Sequence, residues 1–254
     1  MITLSRTLHC ALGTLMTAGA LLAIPSTAGA QSVYAGLSFL TGYPHGEFKQ
    51  NVDHAGFGGE GHVGYHFGAV PLVLGAEIGV MSYGSNTRRE PFSTTIPDVT
   101  VSVETSHNIA HGNLFLRLQP DEGVVRPYAE GVLGTNYFFT QTTIQNSDWN
   151  SGEHDNSIAS TTNQDDWGLM YGVGAGLMVR VFDNDDAPVR DIAERETTGI
   201  ATGFVTLGFR YLYGGKAEYL TNGSIRRNNG TVTYDVTSSR TDLLTGQLGF
   251  EVRF

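Results

Sequence analysis

Eight histidines, 25 carboxylates and one cysteine are the side chains from which this chain could assemble a metal or catalytic centre. Two histidine pairs stand at i,i+4, His62 with His66 and His107 with His111. Both lie where apolar and polar residues alternate, the pattern of a β-strand. At about 3.3 Å per residue the two rings of such a pair are roughly 13 Å apart. An ion holds its ligands at about 2 Å, so neither pair grips a metal alone and a site needs residues from several strands. Read as strand residues, these histidines are polar filling. Asp183, Asp185 and Asp186 resemble the start of a calcium loop, but the required glycine is replaced by Pro188. Glu104, Ser106 and His107 offer the materials of a triad, yet strand neighbours such as Ser106 and His107 point to opposite faces. The expectation is a protein that is not an enzyme and has no metal and no cofactor.

A second set of charges is spread over several segments. Glu60, Glu77, Glu130, Glu218 and Glu251 share polar strand faces with Arg117, Arg180, Arg210, Lys216 and Arg253. Five acids against five bases, interleaved with glycines, suit a narrow interior in which ions pair with one another. A solvated outer face would carry more lysine and fewer glycines. An interior charge network is therefore expected.

The elements that must position these residues follow from period-two alternation over residues 33–41, 56–67, 72–83, 106–118, 127–139, 167–181, 203–219 and 243–254. In the last of these, Leu244, Leu248, Phe250, Val252 and Phe254 fall on one face and Thr245, Gln247, Glu251 and Arg253 on the other. Connections at 68–71 and 119–125 are short, whereas 43–55, 84–105, 140–166 and 220–240 are long and polar. One connection, 183–202, breaks this rule, and its stretch 189–196 could form a helical turn or two. Glycine makes up 33 of 254 residues and charged residues only 16%. That composition excludes a coiled coil and an acidic disordered chain.

Residues 1–30 read as a secretory signal. Arg6 precedes a mostly apolar stretch at 11–24, and Ala28-Gly29-Ala30 supplies a small-residue cleavage pattern before Gln31. About 14 apolar residues are short for a membrane helix, which needs roughly 20. Cys10, the lone cysteine, lies in this segment, so residues 31–254 carry no thiol. Removing 1–30 takes one basic residue and no acidic one, changing the net charge from −10 to −11. An acidic surface argues against nucleic acid as a partner.

Short turns at one end and long loops at the other, with an apolar face tall enough for a bilayer, predict an all-β fold. It is an eight-stranded antiparallel up-and-down transmembrane β-barrel with periplasmic turns and external loops. Tyr137, Phe139, Trp167, Tyr211 and Tyr213 would ring the outer interface, and Tyr65, Phe67 and Phe254 the inner one. A soluble barrel with its apolar face inward would instead bury greasy residues and display the charges. Ten strands is the alternative count, if 99–103 and 231–236 form strands of their own.

The chain from 31 to 254 resembles the small outer-membrane barrels typified by the OmpA transmembrane domain and OmpX. The end, Gly249-Phe250-Glu251-Val252-Arg253-Phe254, carries the most specific part of the resemblance. In those families a terminal aromatic with alternating apolar residues is read by the barrel-assembly machinery, which implies such a signal in Leu248, Phe250, Val252 and Phe254. The resemblance implies residence in the outer membrane of a Gram-negative-type bacterium, contact with its lipid, and a monomer. A structural or surface-interaction role follows, with a plugged polar interior and an extracellular ligand met by the loops. The alternatives are a barrel enzyme acting on lipid or peptide and, with ten strands, a small-solute transporter.

Overall fold

In the computed structural model the alternating segments pair into one sheet that closes on itself. The structure describes residues 32–68, 70–91, 100–146, 157–183, 202–221, 223–228 and 231–254. The first seven strands are β1 (Ser32–Pro44), β2 (Gly56–Phe67), β3 (Leu72–Pro91), β4 (Thr100–Leu118), β5 (Val125–Asn146), β6 (Ser157–Asp183) and β7 (Thr202–Gly214). Each pairs antiparallel with the next, and β12 (Leu243–Arg253) closes the ring between β7 and β1. The barrel has eight strands. Closure removes the unpaired edge that a bilayer, offering no hydrogen bonds, does not tolerate.

Residues 100–103 extend β4 and pair with the far end of β3. They are not a separate strand of the wall. Between β7 and β12 the chain makes an excursion of four short strands: β8 (Lys216–Tyr219), β9 (Ile225–Asn228), β10 (Thr231–Tyr234) and β11 (Thr237–Arg240). β8 pairs with β11 and β9 with β10, each pair outside the main ring. A short helix, α1 (Gly46–Asn51), follows β1. It starts at Gly46, whose φ of 59° is a left-handed conformation that glycine adopts without a Cβ clash. The wall strands reach further outward than their apolar alternation predicts. β5 continues through Thr140, Thr142 and Thr143, whose β-branched side chains favour extended backbone although no apolar face continues there. The helical turns expected at 189–196, and the segment 1–30, lie outside the described residues.

Side-chain orientation follows the pleat on every wall strand. Leu37 and Leu169 are 73% and 72% exposed on the outer surface, whereas Glu77 and Arg210 are 3% and 4% exposed inside. Outward rings cluster at two levels. Tyr137 stacks on Phe139 and packs against Trp167, and Tyr213 stacks on Tyr171 and meets Tyr211 edge-on, at one end. Tyr65 meets Phe67 at the other. Two levels of amphipathic rings are what headgroup interfaces select. Among the described residues no helix is long and apolar enough to cross a membrane. The strands do the crossing.

Candidate functional site: a charged belt under an aromatic plug

Inward positions at mid-height bring together six of the ten expected network residues. Glu130 of β5 accepts hydrogen bonds on both oxygens, from Arg117 Nε at 3.0 Å and Arg210 Nε at 2.5 Å. Arg117 Nη1 also donates to Glu251 Oε2 at 2.9 Å, and Arg210 Nη1 to Glu77 Oε1 at 2.7 Å. Glu60 completes the set, accepting from Gln247 Nε2 at 2.9 Å with Arg210 Nη1 3.7 Å away. Arg117 lies over the Tyr128 ring at 4.5 Å, so its face is covered as well as its edges. All six charged side chains are buried. Buried ions persist only when paired and hydrogen-bonded, and guanidinium groups that each bridge two carboxylates go far toward meeting that need.

The other four residues lie elsewhere. Arg180 is half-buried and forms an ion pair with Asp183 near the end of β6, and Arg253 is half-buried at the end of β12. Lys216 and Glu218 are exposed on β8. Their expected place inside the barrel is corrected by the break at Gly214 and Gly215. Gly215 N–H donates to Leu169 O and Gly214 N–H to Asp242, taking the chain off the wall. Beyond that break β7's alternation no longer indexes the lumen.

Strand register explains why glycines accompany the charges. Glu130 and Arg210 lie two strands apart, both opposite Gly174. A Cβ on Gly174 would come within 2.6 Å of Arg210 Cγ and 3.3 Å of Glu130 Oε1. Gly36 separates Glu251 from His62 in the same way, and a Cβ there would lie 2.6 Å from the His62 ring. With the space clear, His62 Nε2 sits 2.7 Å from Glu251 Oε2. Gly79 separates Glu60 from His111, and a Cβ there would lie 2.5 Å from His111 Cε1. His111 Nε2 is 3.4 Å from Glu60 Oε2. Each glycine gives two neighbours on either side the room to meet over it. His62, His111, Asn113 and Gln247 are belt residues absent from the expected charge network. All four occupy inward positions of the alternation, which is the signal that finds them.

Above the belt the interior holds an aromatic cluster. Phe48 of α1, fully buried, meets Tyr219, Tyr83 and Phe138 edge-on at centroid distances of 5.1, 5.8 and 6.0 Å. The Tyr219 hydroxyl accepts from Asn51 Nδ2 at 3.2 Å and is 2.7 Å from Ser239 Oγ. Burial raises the Tyr219 phenol above its ordinary pKa, so it stays neutral and able to donate. Helix α1 and the β8–β11 pair thereby cap the external mouth.

The histidine pairs do not act as pairs. His107 Nδ1 is 2.9 Å from Thr140 Oγ1, and His66 Nε2 is 2.7 Å from Asp121 Oδ1 near the opposite end. The terminal residues Leu248, Phe250 and Phe254 are exposed on the outer wall and Val252 is half-buried. Phe254 N–H donates to Val33 O at 2.9 Å, fastening the end of the chain to β1.

A closed eight-stranded wall that is apolar outside and ion-paired inside defines a membrane-spanning β-barrel. Residues 14–180, more than half of the chain, match the model of the outer membrane protein beta-barrel domain. The chain belongs to that family and resides in the bacterial outer membrane, in contact with its lipid. Among solved structures it is similar to Neisserial surface protein A, at 15% identity and a TM-score of 0.38, covering 90% of this chain and 98% of that one. It is also similar to the N-terminal β-barrel domain of Pseudomonas aeruginosa OprF, at 11% identity and 0.36, covering 87% and 97%. A major outer membrane protein from Thermus thermophilus matches at 11% identity and 0.39, covering 87% and 99%. At these scores the three add nothing to the family assignment. None of the curated proteins matches this sequence.

Proposed function

We propose that this protein is a structural or surface-interacting barrel whose interior is closed to solute flow, with the external loops presenting contacts to an extracellular ligand. The observation that carries this reading is the continuous filling of the lumen. The belt from Glu60 to Glu251 spans the mid-section, and Phe48 with its aromatic partners fills the mouth above it. A void of about 20 Å³ beside Glu60, Glu77 and Arg210 has room for a single water. An eight-stranded barrel has an interior just wide enough for side chains to fill. Planar-bilayer recording tests the reading. No stable conductance is expected, and large uniform single-channel currents would overturn it.

The same reading makes the protein a non-catalytic monomer. Residues 1–30 are a cleaved export signal and 31–254 the folded domain, so mass spectrometry of the protein from outer membranes should give an amino terminus at Gln31. Leu248, Phe250, Val252 and Phe254 serve as the signal for the barrel-assembly machinery. Their outward-facing side chains on the closing strand support that role. Deleting Phe254 should lower the assembled fraction in cells while leaving refolding of purified protein into detergent intact. Normal assembly of the deletion would contradict it.

A further inference from the structure

The belt is not charge-balanced. Among the described residues, Glu60, Glu77, Glu130 and Glu251 face two guanidinium groups, those of Arg117 and Arg210. The excess negative charge is not spread evenly. Glu130 is satisfied on both oxygens, and Glu251 Oε2 has both Arg117 and His62. Glu60, Glu77 and Glu251 each leave one oxygen buried with no hydrogen bond, Oε2 in the first two and Oε1 in the third, and of these three Glu60 and Glu77 border one shared void. A carboxylate oxygen without a hydrogen bond in a low-dielectric interior is costly. Two such residues, 6% and 3% exposed, with carboxylate oxygens within 4.8 Å of one another, point to an occupant.

We propose that Glu60, Glu77 and His111 form a binding site for one divalent first-row transition cation of the size and preference of Zn²⁺. One ligand atom from each residue lies within 4.8 Å of the others. The three come from adjacent strands β2, β3 and β4, as the strand spacing requires of any metal site in such a wall. The void of about 20 Å³ that they border holds an ion or one water. Asn113 Oδ1, also buried without a hydrogen bond, borders the same void and is a fourth oxygen of the right chemistry. An imidazole nitrogen with carboxylate oxygens favours Zn²⁺ and its neighbours in the series. Ca²⁺ takes six to eight oxygens at about 2.3–2.6 Å, which this cluster does not supply. Arg210 Nη1, 3.7 Å from Glu60 Oε2, repels a cation. The two negative charges in excess across the belt offset that repulsion.

Gly79 is the residue that makes the site. It lies opposite both Glu60 and His111, and any Cβ at that position would run into the His111 ring and Glu60 Cβ, at 2.5 and 2.8 Å. A bound cation would cross-link three neighbouring strands inside the wall.

The test uses protein extracted from membranes in detergent, stripped with chelator, and titrated with Co²⁺ alone as a coloured stand-in for Zn²⁺. One Co²⁺ per chain is expected, with visible absorption of a nitrogen- and oxygen-ligated ion, discharged by one equivalent of Zn²⁺. His111→Gln and Gly79→Ala should each weaken uptake at least tenfold, and Glu60→Gln should abolish it. Retained heat-modifiable gel mobility shows that each variant is folded. Should Glu60→Gln fail to fold, His111→Gln decides, because it removes the only nitrogen ligand and no carboxylate. Absence of uptake up to millimolar Co²⁺ overturns the proposal. Uptake that is unchanged in His111→Gln also overturns it.

Discussion

The charged belt and the aromatic plug fill successive levels of one tube, but they are built in different ways. Every belt side chain stands on a wall strand, and its partners are fixed by register: Arg117 lies directly opposite Glu130, and Gly174 opposite both Glu130 and Arg210. The plug depends on chain that is not wall. Phe48 comes from α1 and Tyr219 from β8, and they reach Tyr83 and Phe138 by folding back over the mouth. Belt contacts therefore form when the barrel closes, whereas plug contacts require only that two loops dock. The belt is part of global stability; the plug is a local unit able to open below it.

The largest effect should follow loss of a belt cation. Arg210→Ala leaves Glu77 and Glu130 each short of a charged donor, and breaking a buried pair costs about 3–5 kcal/mol. Urea unfolding of the barrel in detergent, followed by tryptophan fluorescence, measures this. A loss below about 1 kcal/mol would mean the belt is not a coupled unit. Next comes a lipid-facing change: Leu133→Arg on the exposed wall should cost about 2–4 kcal/mol in bilayers if it sits near the midplane. The same substitution in a soluble carrier's surface would be nearly neutral.

Overfilling a belt clearing is expected to rank third. Gly174→Ala brings a Cβ against Arg210 Cγ and Phe209 O, at 2.6 and 2.9 Å, and overpacking costs about 1–3 kcal/mol. Gly131→Ala, on the outer wall with nothing within 4 Å, is the matched control and should change little. The smallest effect on global unfolding belongs to the plug. Phe48→Ala removes burial worth about 1.5–3 kcal/mol, yet the loss should appear as faster amide exchange and protease cleavage around residues 46–51 with the unfolding midpoint unmoved. A shift of the global midpoint equal to that of Arg210→Ala would erase the distinction between the two regions.

That distinction also explains what the sequence discloses. Alternation with period two assigned the inward and outward faces of all eight wall strands, because the pleat leaves no other arrangement once one face meets lipid. It brought Glu60, Glu77, Arg117, Glu130, Arg210 and Glu251 to the same interior without saying which pairs with which. Pairing needs register, and register is set by turns whose exact lengths alternation does not give. Alternation points Lys216 and Glu218 inward because it runs on past Gly215, where the backbone leaves the sheet. Phe48 carried no signal at all. A single aromatic in a polar connection has no period, and its burial depends on residues far along the chain.

Outward grease and inward ions are the arrangement on which all of this depends. A cysteine scan along β12 tests it most directly, using protein lacking residues 1–30 and therefore free of native thiols. Each residue from Leu244 to Val252 is replaced singly by Cys, labelled with an environment-sensitive fluorophore and refolded into vesicles of brominated lipid. Quenching by lipid should be strong at 244, 246, 248, 250 and 252 and weak at 245, 247, 249 and 251. Quenching with the opposite phase, or without a period of two, would contradict the account.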